Sequence, residues 1–109
     1  MLIETLKTLC ELSGVSGHED QVRNYILAQT SPFIHTARID TIGNLILEKK
    51  GTVSGRKKVM LAAHMDEVGL IVQSITEDGY LKFDTVGGID RRVLLGKRVL
   101  VGEQKLPGV

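Results

Sequence analysis

Tryptophan is missing from this sequence, aromatic residues are scarce (two Tyr and two Phe), and cysteine occurs once, at Cys10. A single thiol excludes an internal disulfide and a zinc site built from several cysteines of one chain. Cys10 falls on the apolar side of a helical pattern, which predicts a buried structural thiol rather than a nucleophile. No apolar run approaches the ~20 residues that span a bilayer. Met1-Leu2-Ile3-Glu4 has neither the basic start nor the long apolar core of a secretory signal, so the expected location is the cytoplasm. An excess of either charge is also lacking. Fourteen Lys and Arg against 13 Asp and Glu leave a net charge of +1, so there is no electrostatic footprint for a nucleic acid or an anionic membrane, and neither partner is expected. No GxGxxG fingerprint or P-loop occurs, and Gly87-Gly88 reads as a backbone turn rather than a phosphate cradle.

What is present is ordinary globular material: 42% hydrophobic and 25% charged residues over 109 positions, about one small domain. Twelve glycines, clustered in the second half, point to tight turns around a core of Val, Ile and Leu. Leu2, Leu6 and Leu9, with Ile3 and Cys10, recur at helical spacing. That helix ends near Ser13-Gly14. Ser16-Gly17-His18-Glu19 has the Ser-x-x-Glu spacing of a capping box, so Ser16 is expected to cap a second helix and take no part in chemistry. Val22, Tyr25 and Ile26 form that helix's apolar stripe, and Pro32 ends it. His18 is expected at its exposed first turn. Residues 33–39 read as a strand carrying a surface His35. Asp40-Thr41-Ile42-Gly43-Asn44 is a turn, and Leu45-Ile46-Leu47 returns as the second strand of an antiparallel hairpin. The basic stretch from Lys49 to Lys58 reads as a solvated loop. Beyond it, Leu70-Ile71-Val72 and Tyr80-Leu81-Lys82-Phe83 flank Asp78-Gly79, a strong hairpin signal. Val93-Leu94-Leu95 and Val99-Leu100-Val101 suggest further short strands. The texture therefore changes near position 67, from helix-plus-sheet to the beginning of a small all-β unit.

One stretch organises the rest. Val59-Met60-Leu61-Ala62-Ala63 runs without a polar break and delivers His64 and Asp66. The run predicts a strand buried on both faces, with the motif at its C-terminal end, where ligands bind in open α/β sheets. On an extended chain His64 and Asp66 point to one side. Such a pair can be a metal ligand with a supporting carboxylate, the His–carboxylate half of a triad, or a polar turn leaving the core. Spacing leaves all three open.

Ser16-Gly17-His18-Glu19, Asp40 with Gly43-Asn44-Leu45, Ala62-Ala63-His64-Met65-Asp66-Glu67-Val68-Gly69 and Val86-Gly87-Gly88, in that order, resemble the N-terminal part of the M42 metallo-aminopeptidases. This family includes the glutamyl and the tetrahedral (TET) aminopeptidases, and some members were once labelled endoglucanases. The resemblance implies an α/β fold. Residues 1–67 would be the start of a catalytic domain with two N-terminal helices and a mixed sheet. Residues 68–109 would be the first strands of an inserted PDZ-like or barrel-like β domain used in assembly. It also implies a cytoplasmic hydrolase that removes N-terminal residues from peptides, works as a homo-oligomer and holds two divalent ions, zinc or cobalt. His64 would be a metal ligand, and Asp66 the catalytic carboxylate that supports the site through that histidine. Glu67 would be neither ligand nor general base. The bridging aspartate, the general-base glutamate, the remaining acidic ligands and the last histidine of the family find no match in these 109 residues. The chain thus reads as an N-terminal fragment, inactive by itself and prone to self-association. The alternatives are a non-catalytic β-rich assembly module, or a fragment of another co-catalytic zinc peptidase of the M20 or M28 kind.

Overall fold

The computed structural model describes residues 2–53, 55 and 57–109. Met1 and the Ser54 and Arg56 positions of the basic loop lie outside the described residues. Two compact units result, Met1–Glu67 and Val68–Val109.

In the first unit, α1 (Leu2–Glu11) is followed by α2 (Asp20–Thr30) and a 3-10 turn, Ser31–Phe33. The strands β1 (Thr36–Ile39) and β2 (Leu45–Glu48) then pair antiparallel, from Thr36 opposite Glu48 to Ile39 opposite Leu45. The expected strand over 33–39 is thus shortened at its start. Pro32 sits early in the 3-10 turn, where its fixed φ is at home and its missing N–H costs nothing. His35 is exposed, and its backbone N–H donates to Glu48 O at 2.7 Å.

The hairpin turn is closed by one carboxylate. Asp40 Oδ1 accepts from the N–H groups of Ile42 (3.1 Å) and Asn44 (2.9 Å), and Oδ2 accepts from Asn44 Nδ2 (2.8 Å). Gly43, at φ +91°, supplies the left-handed residue the turn needs. Arg23 of α2 reaches the same turn. Its Nε donates to Gly43 O at 3.0 Å while its guanidinium pairs with Asp20 and lies 3.9 Å from Glu19. A Cβ on Gly43 would stand 3.0 Å from that guanidinium. The helix and the hairpin are therefore joined by a buried cation and a glycine.

In the second unit, β3 (Gly69–Ile75) and β4 (Leu81–Val86) pair antiparallel, with an irregularity between Val72 and Ser74. The turn between them closes with Gly79 at φ +84°, as the Asp-Gly signal predicts. Val93-Leu94-Leu95 is not a strand. A 3-10 turn, Arg91–Leu94, takes its place because Asp90 Oδ1 accepts from the Arg92 N–H at 3.0 Å, and that bond favours a turn over a ladder. The strands β5 (Val99–Val101) and β6 (Leu106–Gly108) form a last antiparallel pair.

Three expectations are corrected here. The sheet is not mixed: among the described residues there are three separate two-stranded antiparallel ladders, and parallel pairing is confined to one isolated bridge, Val15 with Glu67. The run at 59–63 is neither strand nor buried. Val59, Met60 and Leu61 are 83%, 88% and 93% exposed, because no described segment pairs with them or covers them. Cys10 is exposed rather than buried, for the same reason: α1 carries its apolar stripe as periodicity predicts, but the described residues leave most of it uncovered, with Leu9 half-buried and Leu2, Ile3 and Leu6 exposed. Val22 is the one buried hydrophobic residue among those described. The accessible surface is 9817 Å². A self-contained monomer of 11.9 kDa exposes about 6,000 Å², and two separate bodies of these sizes roughly 7,000 Å² together. Local hydrogen bonding, not a hydrophobic core, is what defines these elements.

The bonds to Asp40, led by the one from the Asn44 side chain, hold its carboxyl below the ordinary value of 3.8. Since the ionised form receives the bonds, the turn's stabilisation is complete above that ordinary value and goes as pH falls through the lowered one. The Ile42 and Asn44 amide resonances should therefore titrate together, below the ordinary carboxylate range. In Asp40→Asn that joint transition should vanish.

Candidate functional site

The link between α1 and α2 carries the segment that holds the candidate residues. Glu67 N–H donates to Gly14 O at 2.7 Å, and Ser16 N–H donates to Glu67 O at 3.3 Å. These bonds make the parallel bridge between Val15 and Glu67. The Glu67 side chain completes it, with Oε1 accepting from the Gly14 N–H at 3.2 Å. Gly14 is buried, and a Cβ there would stand 2.9 Å from Val22 Cγ2 and 3.2 Å from Met65 O. The chain at 65–67 can lie this close to α2 only because position 14 has no side chain.

That anchoring brings Ser16 to Asp66. The Ser16 hydroxyl donates a hydrogen bond to Asp66 Oδ2. The other carboxylate oxygen, Oδ1, lies 3.2 Å from His64 Nδ1, which also lies 2.9 Å from the Asp66 carbonyl oxygen. In the neutral ring, the two acceptors facing Nδ1 favour the tautomer with the proton there and the lone pair on Nε2. The ring is 85% exposed, so Nε2 faces outward, available to a ligand. Asp66 is acidified. The Ser16 hydroxyl bond contributes most, and the neighbouring His64 lowers the value further. A shallow cleft of about 150 Å³ is lined by His64, Asp66, Ala63 and Met65 on one side and by Glu19, Ile42, Gly43 and Asn44 on the other.

Sequence reasoning misplaces Ser16. The helix begins at Asp20 with Glu19 as its N-cap, and no side-chain cap bond forms. Gly17, at φ +89°, turns the chain between Ser16 and the helix. The Glu19 carboxylate accepts from the Gly17 N–H at 2.8 Å, so it has no Ser16 amide to serve. The Ser-x-x-Glu spacing is the same in a capping box and in this loop, and nothing local separates them. The same spacing gave no hint of Glu19 or Asn44 at the cleft, since that requires knowing how the hairpin returns.

A triad is not what these three residues make. In a Ser–His–Asp triad the hydroxyl is bonded to the imidazole, whereas here it is bonded to the carboxylate, so no base lies against Ser16 to activate it. The fit to a metal is partial. An imidazole whose second nitrogen is held by a carboxylate and a carbonyl is the usual arrangement of a ligating histidine. No cluster of three or more His, Cys, Asp or Glu residues converges among the described residues, and zinc normally takes three or four protein ligands. One imidazole with a supporting carboxylate fits a single ligand position and not a whole donor set.

The M42 glutamyl aminopeptidase family model matches residues 43–109. The chain belongs to the M42 family. Among its relatives is the lysyl aminopeptidase of Pyrococcus furiosus, 36% identical over 88% of this chain and 27% of that protein. Among solved structures, a Thermotoga maritima protein described as an endoglucanase superposes with a TM-score of 0.86 at 44% identity, covering 95% of this chain and 32% of the other. The TET1 peptidase of Pyrococcus horikoshii, which can assemble into a tetrahedron or a large octahedral shell, superposes with a TM-score of 0.80 at 40% identity, over 96% of this chain and 31% of that one. The chain thus spans under a third of each of these proteins. No described helix is long and apolar enough to cross a membrane.

Gly14→Ala should be costly for a glycine outside the left-handed region. The added methyl meets Val22 and the Met65 carbonyl, and overpacking of this kind costs about 1–3 kcal/mol. Chemical denaturation of the full-length protein should show that loss, whereas Gly51→Ala, with open space around it, should show almost none.

Proposed function

We propose that residues 1–109 belong to a cytoplasmic, metal-dependent M42 aminopeptidase that acts on peptide N-termini as a homo-oligomer. The observation that carries this reading is the His64–Asp66 pair in a chain of this family: Nδ1 is held at a carboxylate 3.2 Å away while Nε2 faces outward. In this reading His64 holds one of two divalent ions, zinc or cobalt. The bound metals supply Lewis-acid polarisation of the scissile carbonyl and acidify water. Asp66 accepts the Nδ1–H, fixes the ring's tautomer and orientation, and makes the imidazole a better donor to the ion. Glu67, whose carboxylate is committed to the Gly14 N–H, acts in anchoring and not as a base. Residues 1–67 belong to the catalytic domain, and residues 68–109 begin the inserted β domain used in assembly, the break at Glu67/Val68 supporting that division. The exposed run at 59–63 is then a strand whose neighbours come from the rest of the enzyme, which supports the fragment reading over a self-sufficient β module. The family match favours M42 over the M20 and M28 peptidases. The relatives differ in the residue they remove: the family model is that of glutamyl aminopeptidases, and the Pyrococcus furiosus relative is a lysyl one.

In the full-length enzyme, His64→Ala should abolish chelator-sensitive release of N-terminal residues. Asp66→Asn should lower metal affinity or turnover about 10–100-fold. A fully metallated, active His64→Ala enzyme would remove the assignment. The 109-residue polypeptide alone should show no peptidase activity and bind zinc no better than a single surface histidine, as calorimetric titration and a peptidase assay would report.

A further inference from the structure

Ser16 has no role in the helix it precedes. The α2 N-cap is Glu19. Nor is Ser16 a nucleophile, because its hydroxyl donates to a carboxylate and faces no imidazole. Its backbone, in contrast, is firmly placed. The Ser16 N–H donates to Glu67 O at 3.3 Å, and the turn it opens is closed by His18 N–H to Val15 O at 2.7 Å. The hydroxyl is thus presented from a fixed loop to a side chain that is itself partly exposed and would otherwise rotate into water.

We propose that Ser16 is a positioning residue of the metal site, holding Asp66 Oδ2 so that Oδ1 stays on the Nδ1–H of His64 and Nε2 stays aimed at the ion. This rests on the metallopeptidase reading of His64 and Asp66. Each group in the row takes the bond that its neighbour needs it to take. The hydroxyl proton goes to Oδ2, Oδ1 receives the imidazole N–H, and such rows strengthen one another. Removing the hydroxyl leaves Asp66 chemically intact but free to turn. The ring then loses one of its two acceptors, the one whose charge raises its donor strength.

The test uses Ser16→Ala, Ser16→Thr, Asp66→Asn and the Ser16→Ala/Asp66→Asn double variant in the full-length enzyme. Three quantities are read: zinc affinity of the metal-free protein by competition with a chromogenic chelator, kcat and KM on a peptide substrate, and the unfolding temperature of the metal-free protein. Ser16→Ala should weaken zinc binding and lower kcat about 10-fold, the low end for residues that support a metal ligand, with KM and metal-free unfolding unchanged. Ser16→Thr, which keeps the hydroxyl, should retain the parent values. Ser16→Ala should add little to Asp66→Asn. Parent-like zinc affinity and kcat in Ser16→Ala would overturn the proposal, as would a loss that tracks a lower unfolding temperature and is not rescued by Thr, or one that adds in full to Asp66→Asn. If Asp66→Asn itself behaves like the parent, the metallopeptidase role of the pair fails and the Ser16 proposal with it. A loss in Asp66→Asn beside a normal Ser16→Ala sinks the Ser16 proposal alone.

Discussion

The short parallel bridge between the α1–α2 link and residues 66–67 is what everything at the site depends on. Two backbone hydrogen bonds and one that the Glu67 carboxylate accepts from the Gly14 N–H fix where the chain at 64–67 lies. They form only because Gly14 lets the backbones approach. From that placement follow the meeting of Ser16 with Asp66, the facing of Asp66 and His64, and the cleft opposite Asn44. The bridge is small, and the apolar burial beside it is that of Val22. It works by direction: a hydrogen-bond donor aimed at each acceptor.

The same economy appears in the hairpin turn. Asp40 closes its loop by taking three bonds on two oxygens, and Asp66 orders the site by taking bonds from a hydroxyl and an imidazole. In both places an ionised carboxylate serves as the hub, and in both the bonds it accepts make it a stronger acid. Arg23 does the complementary job with donors, joining α2 to the turn through Gly43 O. In a unit whose one buried hydrophobic side chain among the described residues is Val22, these polar hubs set the local geometry.

What could be read from the sequence was whatever is local. The α1 and α2 stripes, the Asp40–Asn44 turn and the Asp78-Gly79 hairpin each follow from residues within a few positions of one another, and each stands where the pattern puts it. The His64-x-Asp66 spacing foretold two side chains side by side, and they are. Most of what failed needed distant information. The run at 59–63 has the composition of a central strand, but a strand exists only with a partner, and none of the described residues pairs with it. Cys10 lies on an apolar stripe, yet burial depends on what covers the stripe. Val93-Leu94-Leu95 lost to a side-chain bond from Asp90 that β-propensity does not register. Ser16 was misread because its partner lies fifty residues away, beyond the reach of a four-residue motif.

The bare apolar run at 59–61 has a consequence for how the protein is made. On the ribosome this stretch emerges as it stands in the structure, with no described segment over it. There it is a hydrophobic ribbon with open backbone groups, the kind of segment that aggregates or recruits a holding chaperone. Lys57 and Lys58 immediately before it, and Asp66 and Glu67 soon after, are the charged flanks that slow such mispairing. Charge on both sides of the bare run thus does for the unfinished chain what a covering segment does for a folded one.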